Sequence, residues 1–235
     1  MKYLQLPSTK ERRLSFYLAM EEYAARMLPA GDYFFTWQVA PSVIFGRNQQ
    51  MESEVNEDYC RLHGIQMYRR KSGGGCVYAD QQNVMLSYVT ADVNVNAVFS
   101  RFVQMITLVL KKLGIESTTT EKNDVLIDGR KVSGTAFFHL PGRSIVHSTL
   151  LYDTNMENML GAITPSAGKL EKHGIQSVRQ RITLLKDYTS LSIDELKSHI
   201  RQTLCEGEYK LTATEVNVIG QLEQQYLRDD FIHLM

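Results

Sequence analysis

Three consecutive glycines, Gly73-Gly74-Gly75, follow Arg69-Arg70-Lys71 and Ser72, and this run constrains the chain more than any other stretch. Residues without Cβ let the backbone approach a ligand closely, and their amides form an anion-binding concavity that neighbouring cations complement. The preceding Ile65-Gln66-Met67-Tyr68 reads as a strand and Val77-Tyr78 resumes one, so the glycines join two strands and do not open a helix. That excludes a P-loop, which needs a Gly-Lys-Ser/Thr ending, and the spacing lacks the Gly-x-Gly-x-x-Gly of a dinucleotide fold. Each such glycine costs roughly 0.5–1 kcal/mol of backbone entropy relative to alanine, so a plain surface turn seldom carries three.

Charge narrows the anion. Lys plus Arg and Asp plus Glu are 26 each, so no global field draws nucleic acid or an anionic membrane, and the anion site is local and its ligand small. With 235 residues, 43% hydrophobic and 22% charged, the chain has ordinary globular usage and needs no staples. Cys60, Cys76 and Cys205 have no paired spacing, and the six histidines are scattered. A disulfide framework and a zinc site are therefore not expected. Met1 to Leu6 reaches Pro7 before any long apolar segment develops, so neither a signal peptide nor a membrane span is expected and a reducing cytoplasm is the expected location.

Local patterns supply the elements. Ser8-x-x-Glu11 is a capping-box pattern ahead of helical spacing at Leu14, Leu18, Tyr23, Ala24 and Met27, which predicts a first helix over about 10–28. Tyr33 to Gln38 and Ser42 to Gly46, with Ala40-Pro41 between them, predict a hairpin. Asn56 caps a short helix that Gly64 stops, strands follow near 65–70, 76–79 and 83–90, and Ala97 to Leu113 is an apolar helix closed by Gly114. Asp124 to Ile127, Lys131 to Leu140 and Ser144 to Tyr152 are joined by Asp128-Gly129 and Pro141-Gly142 turns, a three-stranded antiparallel meander. Asn155 starts a short helix, and Ser192-x-x-Glu195 and Thr212-x-x-Glu215 cap two more with a strand such as Glu208 to Leu211 between them. The fold class is mixed α+β with a largely antiparallel sheet.

Three segments in fixed order then become recognisable. They are Arg69 to Asp80 with Asn83 after it; Asn123-Asp124 leading into Asp128-Gly129-Arg130-Lys131-Val132-Ser133-Gly134-Thr135-Ala136; and His147-Ser148-Thr149-Leu150-Leu151. Gly46-Arg47-Asn48-Gln49 upstream and the stretch from Lys169-Leu170 to Arg179-Gln180-Arg181 downstream extend the pattern. Together they resemble the catalytic domain of the lipoate-protein ligase A family, within the biotin/lipoate ligase superfamily, over about residues 30–185. The resemblance implies a two-sheet α+β fold related to class II aminoacyl-tRNA synthetases. It implies ATP-dependent activation of lipoate to lipoyl-AMP, then transfer to a lysine of a lipoyl carrier domain of 2-oxoacid dehydrogenase complexes or of the glycine cleavage H protein. Residues 1–235 are expected to form a single catalytic domain without the family's separate C-terminal accessory domain, so the chain is expected either to need a separate accessory protein for the activation step or to use only a pre-formed acyl-adenylate.

Site residues follow from the same resemblance. Bringing a carboxylate to the α-phosphate of ATP joins two anions, so a fixed cation is the first requirement. Lys131 matches the family's catalytic lysine, and a compact ammonium suits that task. Arg70, Ser72, Gly73, Gly74, Gly75, Val77, Tyr78 and Asn83 match the segment around the acyl-adenylate, and Asn123, Asp124, Ser133, Gly134, Ala136 and His147 match its further contacts. Asp124 is the candidate Mg²⁺ ligand. Val43, Val77, Leu86 and Ala136 are candidates for the wall of the acyl slot, Arg69 and Lys71 alternate with Arg70 so that one of them is expected to face solvent, and Lys172, Arg179 and Arg181 form a downstream basic segment.

The chain departs from the family pattern at Ala79, usually His; at Gln82, usually Gly; and at Ser148, usually Gly. Biotin-protein ligase is the weakest alternative, because its glycine motif alternates with arginines where this chain runs Ser72-Gly73-Gly74-Gly75, and two stronger rivals stand beside the ligase. An octanoyl or lipoyl transferase without ATP needs a cysteine nucleophile, but the matching places hold Thr164-Pro165-Ser166 and Asn123-Asp124, and Cys76 lies within the glycine segment. A non-catalytic lipoate-binding module is the other.

Overall fold

The computed structural model describes residues 1–163 and 181–233. Among the described residues eleven strands make two sheets. The large one runs β11 (Gly207–Lys210), β1 (Lys2–Gln5), β2 (Tyr33–Trp37), β6 (Asn83–Thr90), β10 (Arg143–Leu151), β9 (Arg130–Leu140), β8 (Val125–Ile127), β7 (Thr118–Thr119). From β2 to β7 every pair is antiparallel, whereas β1 lies parallel to both β2 and β11. The small sheet places β3 (Ser42–Phe45) between β4 (Gln66–Arg69), parallel to it, and β5 (Val77–Ala79), antiparallel.

The β8–β9–β10 meander forms as its turn residues dictate: Asp128, Gly129 and Gly142 all take positive φ, which a tight turn requires. The strands expected at Glu208–Leu211 and around the glycine run form within a residue or two. The hairpin expected from Tyr33 to Gly46 does not form, because β2 joins the large sheet and β3 the small one. Both strands are buried on both faces, and such apolar runs carry no alternation that would assign them to one sheet.

Helix α1 (Leu14–Met27) begins later than expected, and the Ser8-x-x-Glu11 box is not made. Ser8 accepts instead from the Lys10 amide, and Glu11 accepts from the Gln81 side chain. Residues 8–11 are exposed and have no apolar face to bury, so nothing extends the helix across them. The other signals hold: Asn56 caps α3 (Glu57–Leu62), which follows the short α2 (Met51–Glu54), and Asn155 caps α5 (Met156–Ala162). Capping boxes form at Ser192 for α6 (Ile193–Leu204) and at Thr212 for α7 (Ala213–Tyr226). The last described helix is α8 (Asp229–His233).

Each face of the large sheet is covered. Helices α1 and α7 cover one face, burying Leu18, Phe35, Trp37 and Met85. Helices α4 (Val95–Lys112) and α6 cover the other, burying Phe34, Leu86, Val146 and Leu150. The small sheet and α2, α3 and α5 build a third core around Val43, Phe45 and Tyr78. Among the described residues no helix is long and apolar enough to cross a membrane.

Candidate functional site

Cross-strand register lays out the floor of a cavity. One row across the sheet is Trp37, Met85, Thr149, Gly134; the next is Phe35, Ser87, His147, Ala136. Cross-strand partners share a face, so the small residues Gly134 and Ala136 leave space above β9. Leu18, Ile44, Val77 and the glycine segment close over it, enclosing about 150 Å³. A larger groove of about 560 Å³ lies beyond Trp37, but it gathers none of the residues singled out from sequence.

Eight of those residues line the smaller cavity: Arg70, Gly74, Gly75, Val77, Lys131, Gly134, Ala136 and His147. Strand parity separates the acyl-slot candidates. Val77 and Ala136 lie on the wall, while Val43 and Leu86 are buried in the cores on the opposite faces of their strands. Their sequence neighbours Ile44 and Met85 take the wall positions, with Leu18 and Trp37. A one-residue change of parity moves a side chain to the other face, and a fully buried strand offers no pattern to set it.

The glycine segment is held by its carbonyls. Ser72 O accepts from the Arg47 amide at 2.9 Å. Arg70 donates from Nη2 to Gly73 O and Gly75 O, both at 2.7 Å, and from Nη1 to Ile44 O at 3.0 Å. Burial pulls the Arg70 pKa down to about 10, which leaves the guanidinium charged at neutral pH. Gly74 takes φ +91°, and its carbonyl packs so closely on Gly46 that a Cβ there would meet it at 2.1 Å. Among the described residues the amides of Gly73, Gly74 and Gly75 have no acceptor. An anion at this loop therefore meets free N–H groups and a guanidinium.

Across the cavity, Lys131 Nζ lies 2.9 Å from Asp124 Oδ1 with its side chain 40% exposed. It rests on Gly134, where a Cβ would come within 2.6 Å of Cε and Nζ. Asn123, with φ 61°, positions Asp124 in the turn before β8 and accepts from Thr135 through its carbonyl. Among the described residues no cluster of three or more His, Cys, Asp or Glu is placed to hold a metal ion. The single carboxylate of Asp124 is compatible with Mg²⁺, which binds through one or two carboxylates and takes further oxygens from nucleotide phosphates and water.

Several matched residues stand behind the wall. Ser72 is buried and its Oγ lies 2.7 Å from His147 Nε2, while His147 Nδ1 lies 2.9 Å from Glu21 Oε2. With Nδ1–H donating to the carboxylate, Nε2 is left to accept the Ser72 hydroxyl proton. Ser87 donates to the other Glu21 oxygen and accepts from Trp37 Nε1. Glu21 is a residue that sequence reasoning missed; its signal is a carboxylate pair, Glu21-Glu22, inside an otherwise apolar helix. Ser148 also lines the cavity, while its hydroxyl bonds Ser133 at 2.6 Å on the face of β10 opposite His147. Tyr78 is buried in the third core, and Asn83 is fully buried with its amide nitrogen on Thr154. Ala79 is buried and Gln82 contributes its carbonyl to Asp153 N. Lys172 and Arg179 lie outside the described residues; Arg181 is exposed.

Comparison with known proteins decides the family. Residues 14–205 match the pattern of the lipoyl protein ligase A/B catalytic domain. The chain belongs to that family. It is 33% identical over 219 residues to lipoate-protein ligase LplJ of Bacillus subtilis, covering 88% of this chain and 66% of that one. It is 34% identical over 219 residues to lipoate–protein ligase 1 of Staphylococcus aureus, covering 90% of this chain and 67% of that one. The chain thus spans about two thirds of the length of these curated relatives. Its fold superposes with a TM-score of 0.86 at 25% identity, over 99% of this chain and 95% of the other, on a structure described as a bi-partite lipoate protein ligase from Thermoplasma acidophilum, analysed with its E2 lipoyl domain. The α+β lipoate-ligase architecture expected from the glycine segment and the lysine strand is the architecture found. Within this family the cavity between Lys131 and the glycine segment is the candidate active site.

Proposed function

We propose that this chain is the catalytic unit of a lipoate-protein ligase, with ATP and lipoate as substrates and a lysine of a lipoyl carrier domain as acceptor. The observation that carries this reading is the pairing of a cation, Lys131, with a loop whose amides have no acceptor among the described residues, across a narrow apolar cavity. An acyl chain fits such a cavity, each buried methylene contributing about 0.8 kcal/mol. Its carboxylate then lies at the Lys131 end, where a carboxylate oxygen attacks the α-phosphorus and pyrophosphate leaves. Lys131 offsets the charge that builds on the phosphoryl oxygens, and the glycine amides donate to the mixed anhydride once formed. The carrier lysine amine then attacks the acyl carbonyl and AMP departs. When bound, Mg²⁺ supplies charge neutralisation at the phosphates, and Asp124 is the residue of this chain that would hold it.

Cys76 argues against the transferase alternative. It borders the cavity in the glycine segment, but its side chain packs against the third core, where burial first, and then Glu54, push the thiol pKa up to about 12. A thioester-forming cysteine needs the thiolate. The Thermoplasma structure is described as bi-partite, and by that analogy we include a second, accessory protein. The carrier is a lipoyl domain, of a 2-oxoacid dehydrogenase complex or of H-protein type.

The test is the mass of a lipoyl domain after incubation with the purified chain, ATP, Mg²⁺ and lipoate, with and without an extract supplying an accessory protein. An ATP-dependent increase is expected. Lipoate binding without any increase under either condition would instead favour a binding module, and an increase from an acylated carrier without ATP would favour the transferase.

A further inference from the structure

The glycine segment carries two cations that do not line the cavity, and neither is simply solvated. Arg69 is 1% exposed and donates to the carbonyls of Gly46, Arg47 and Gln49, and from Nε to Ile232 O of α8 at 2.9 Å. Lys71 reaches the other way. Its Nζ lies 2.7 Å from Glu22 Oε2 on α1, 3.4 Å from Gln225 Oε1 on α7, and 4.8 Å from the centre of the Tyr226 ring. Tyr226 donates to the same Glu22 oxygen at 3.0 Å, and Arg26 pairs with Glu22 Oε1 at 2.8 Å. Burial alone would raise the Glu22 pKa, but Lys71, Arg26 and Tyr226 outweigh it and hold the value low.

Neighbouring carboxylates on α1 thus hold neighbouring residues of the loop. Glu22 holds Lys71 directly, and Glu21 holds Ser72 through His147. We propose that Lys71 is a positioning residue, which ties the glycine loop through Glu22 and Tyr226 to helices α1 and α7 and so orders its amides before the acyl-adenylate arrives. This rests on the ligase reading of the site. Three consecutive glycines lose much backbone entropy when ordered, and a ligand that must order them binds more weakly by that amount. A tether at the base of the loop removes that cost from the binding step. The contact is also replaceable without unfolding: Glu22 keeps Arg26 and Tyr226 when Lys71 is lost, and the Lys71 side chain is 22% exposed.

The experiment measures binding of a non-hydrolysable lipoyl-adenylate analogue by titration calorimetry, with amide hydrogen exchange over residues 72–76 in the free protein. Lys71→Met is expected to bind roughly tenfold or more weakly, the scale of a lost charge-assisted contact, and to exchange faster at the loop. Its melting temperature is expected to stay within about 4 °C of wild type. Lys71→Arg, which keeps the cation, is expected to restore affinity. Glu22→Gln with Lys71→Met is expected to bind no more weakly than the weaker single variant, since both cut one tether. Lys71→Met binding as tightly as wild type, or Lys71→Arg failing like Lys71→Met, overturns the tether and leaves the ligase reading standing. A wild-type chain that does not bind the analogue overturns both.

Discussion

The ammonium of Lys131 lies 2.9 Å from the Asp124 carboxylate and directly over Gly134. The pair holds a partly exposed cation beside an apolar cavity, and a pair this accessible to water contributes little to folding. Lys131→Met is expected to lower lipoyl-AMP formation by about 10²–10³-fold, the scale seen when one charge-stabilising donor is removed. Pyrophosphate release measures it, and circular dichroism should show an unchanged fold. Near-normal pyrophosphate release would remove Lys131 from the chemistry.

Gly134→Ala separates position from charge. The new Cβ would meet Cε and Nζ of Lys131 at 2.6 Å, and the end of a flexible side chain can move away. Thermal stability is therefore expected to change little, while the adenylation rate falls by roughly tenfold or more because a displaced catalytic group loses its geometry. A stability loss as large as the rate loss would show that β9 itself had moved.

Arg70→Lys tests the brace inside the loop. A lysine cannot reproduce the fork that reaches Gly73 O, Gly75 O and Ile44 O. Loss of unfolding free energy of about 1.5–3 kcal/mol is expected in urea titration, with weaker binding of the lipoyl-adenylate analogue. Full stability in the lysine variant would mean that the carbonyls have other partners.

Cys76 should behave as an inert residue packed against the third core. With its thiol pushed up to about 12 by burial, alkylation by iodoacetamide is expected to be slow at pH 8 and to accelerate only in strongly alkaline solution. Cys76→Ser is expected to retain most carrier lipoylation. Abolished acyl transfer in that variant would reinstate a thioester mechanism.

Glu22 gives acid stability a defined sign. Its folded pKa is held below the ordinary 4.5, so the unfolded chain binds more protons there and stability rises with pH across that window. The contribution is complete above about 4.5 and is lost as pH falls through the lowered folded value. Urea titrations from pH 3 to 6 should show a shallower slope in Glu22→Gln than in wild type; equal slopes would assign the acid sensitivity to other carboxylates.

Much of this site is legible in the linear chain. Consecutive glycines, turn dipeptides and N-cap residues act through their own backbone or within three or four positions, and so Gly73–Gly75, Asp128-Gly129, Asn155, Ser192 and Thr212 all form what their types require. Ser8 shows the boundary of that rule. Its capping pattern is complete, but residues 8–11 bury no apolar surface, and a local signal without burial does not nucleate a helix.

The family and its lysine, glycine and histidine segments were thus determined by local sequence, whose chemistry does not depend on distant partners. Tertiary structure alone decided which side of each buried strand faces the cavity, giving the wall to Ile44 and Met85 and not to Val43 and Leu86. It alone joined Glu21 to His147 and Glu22 to Lys71, residues 126 and 49 positions apart. Pairing and burial across such distances depend on how the two sheets and α1 pack, and no periodicity in the chain records that packing.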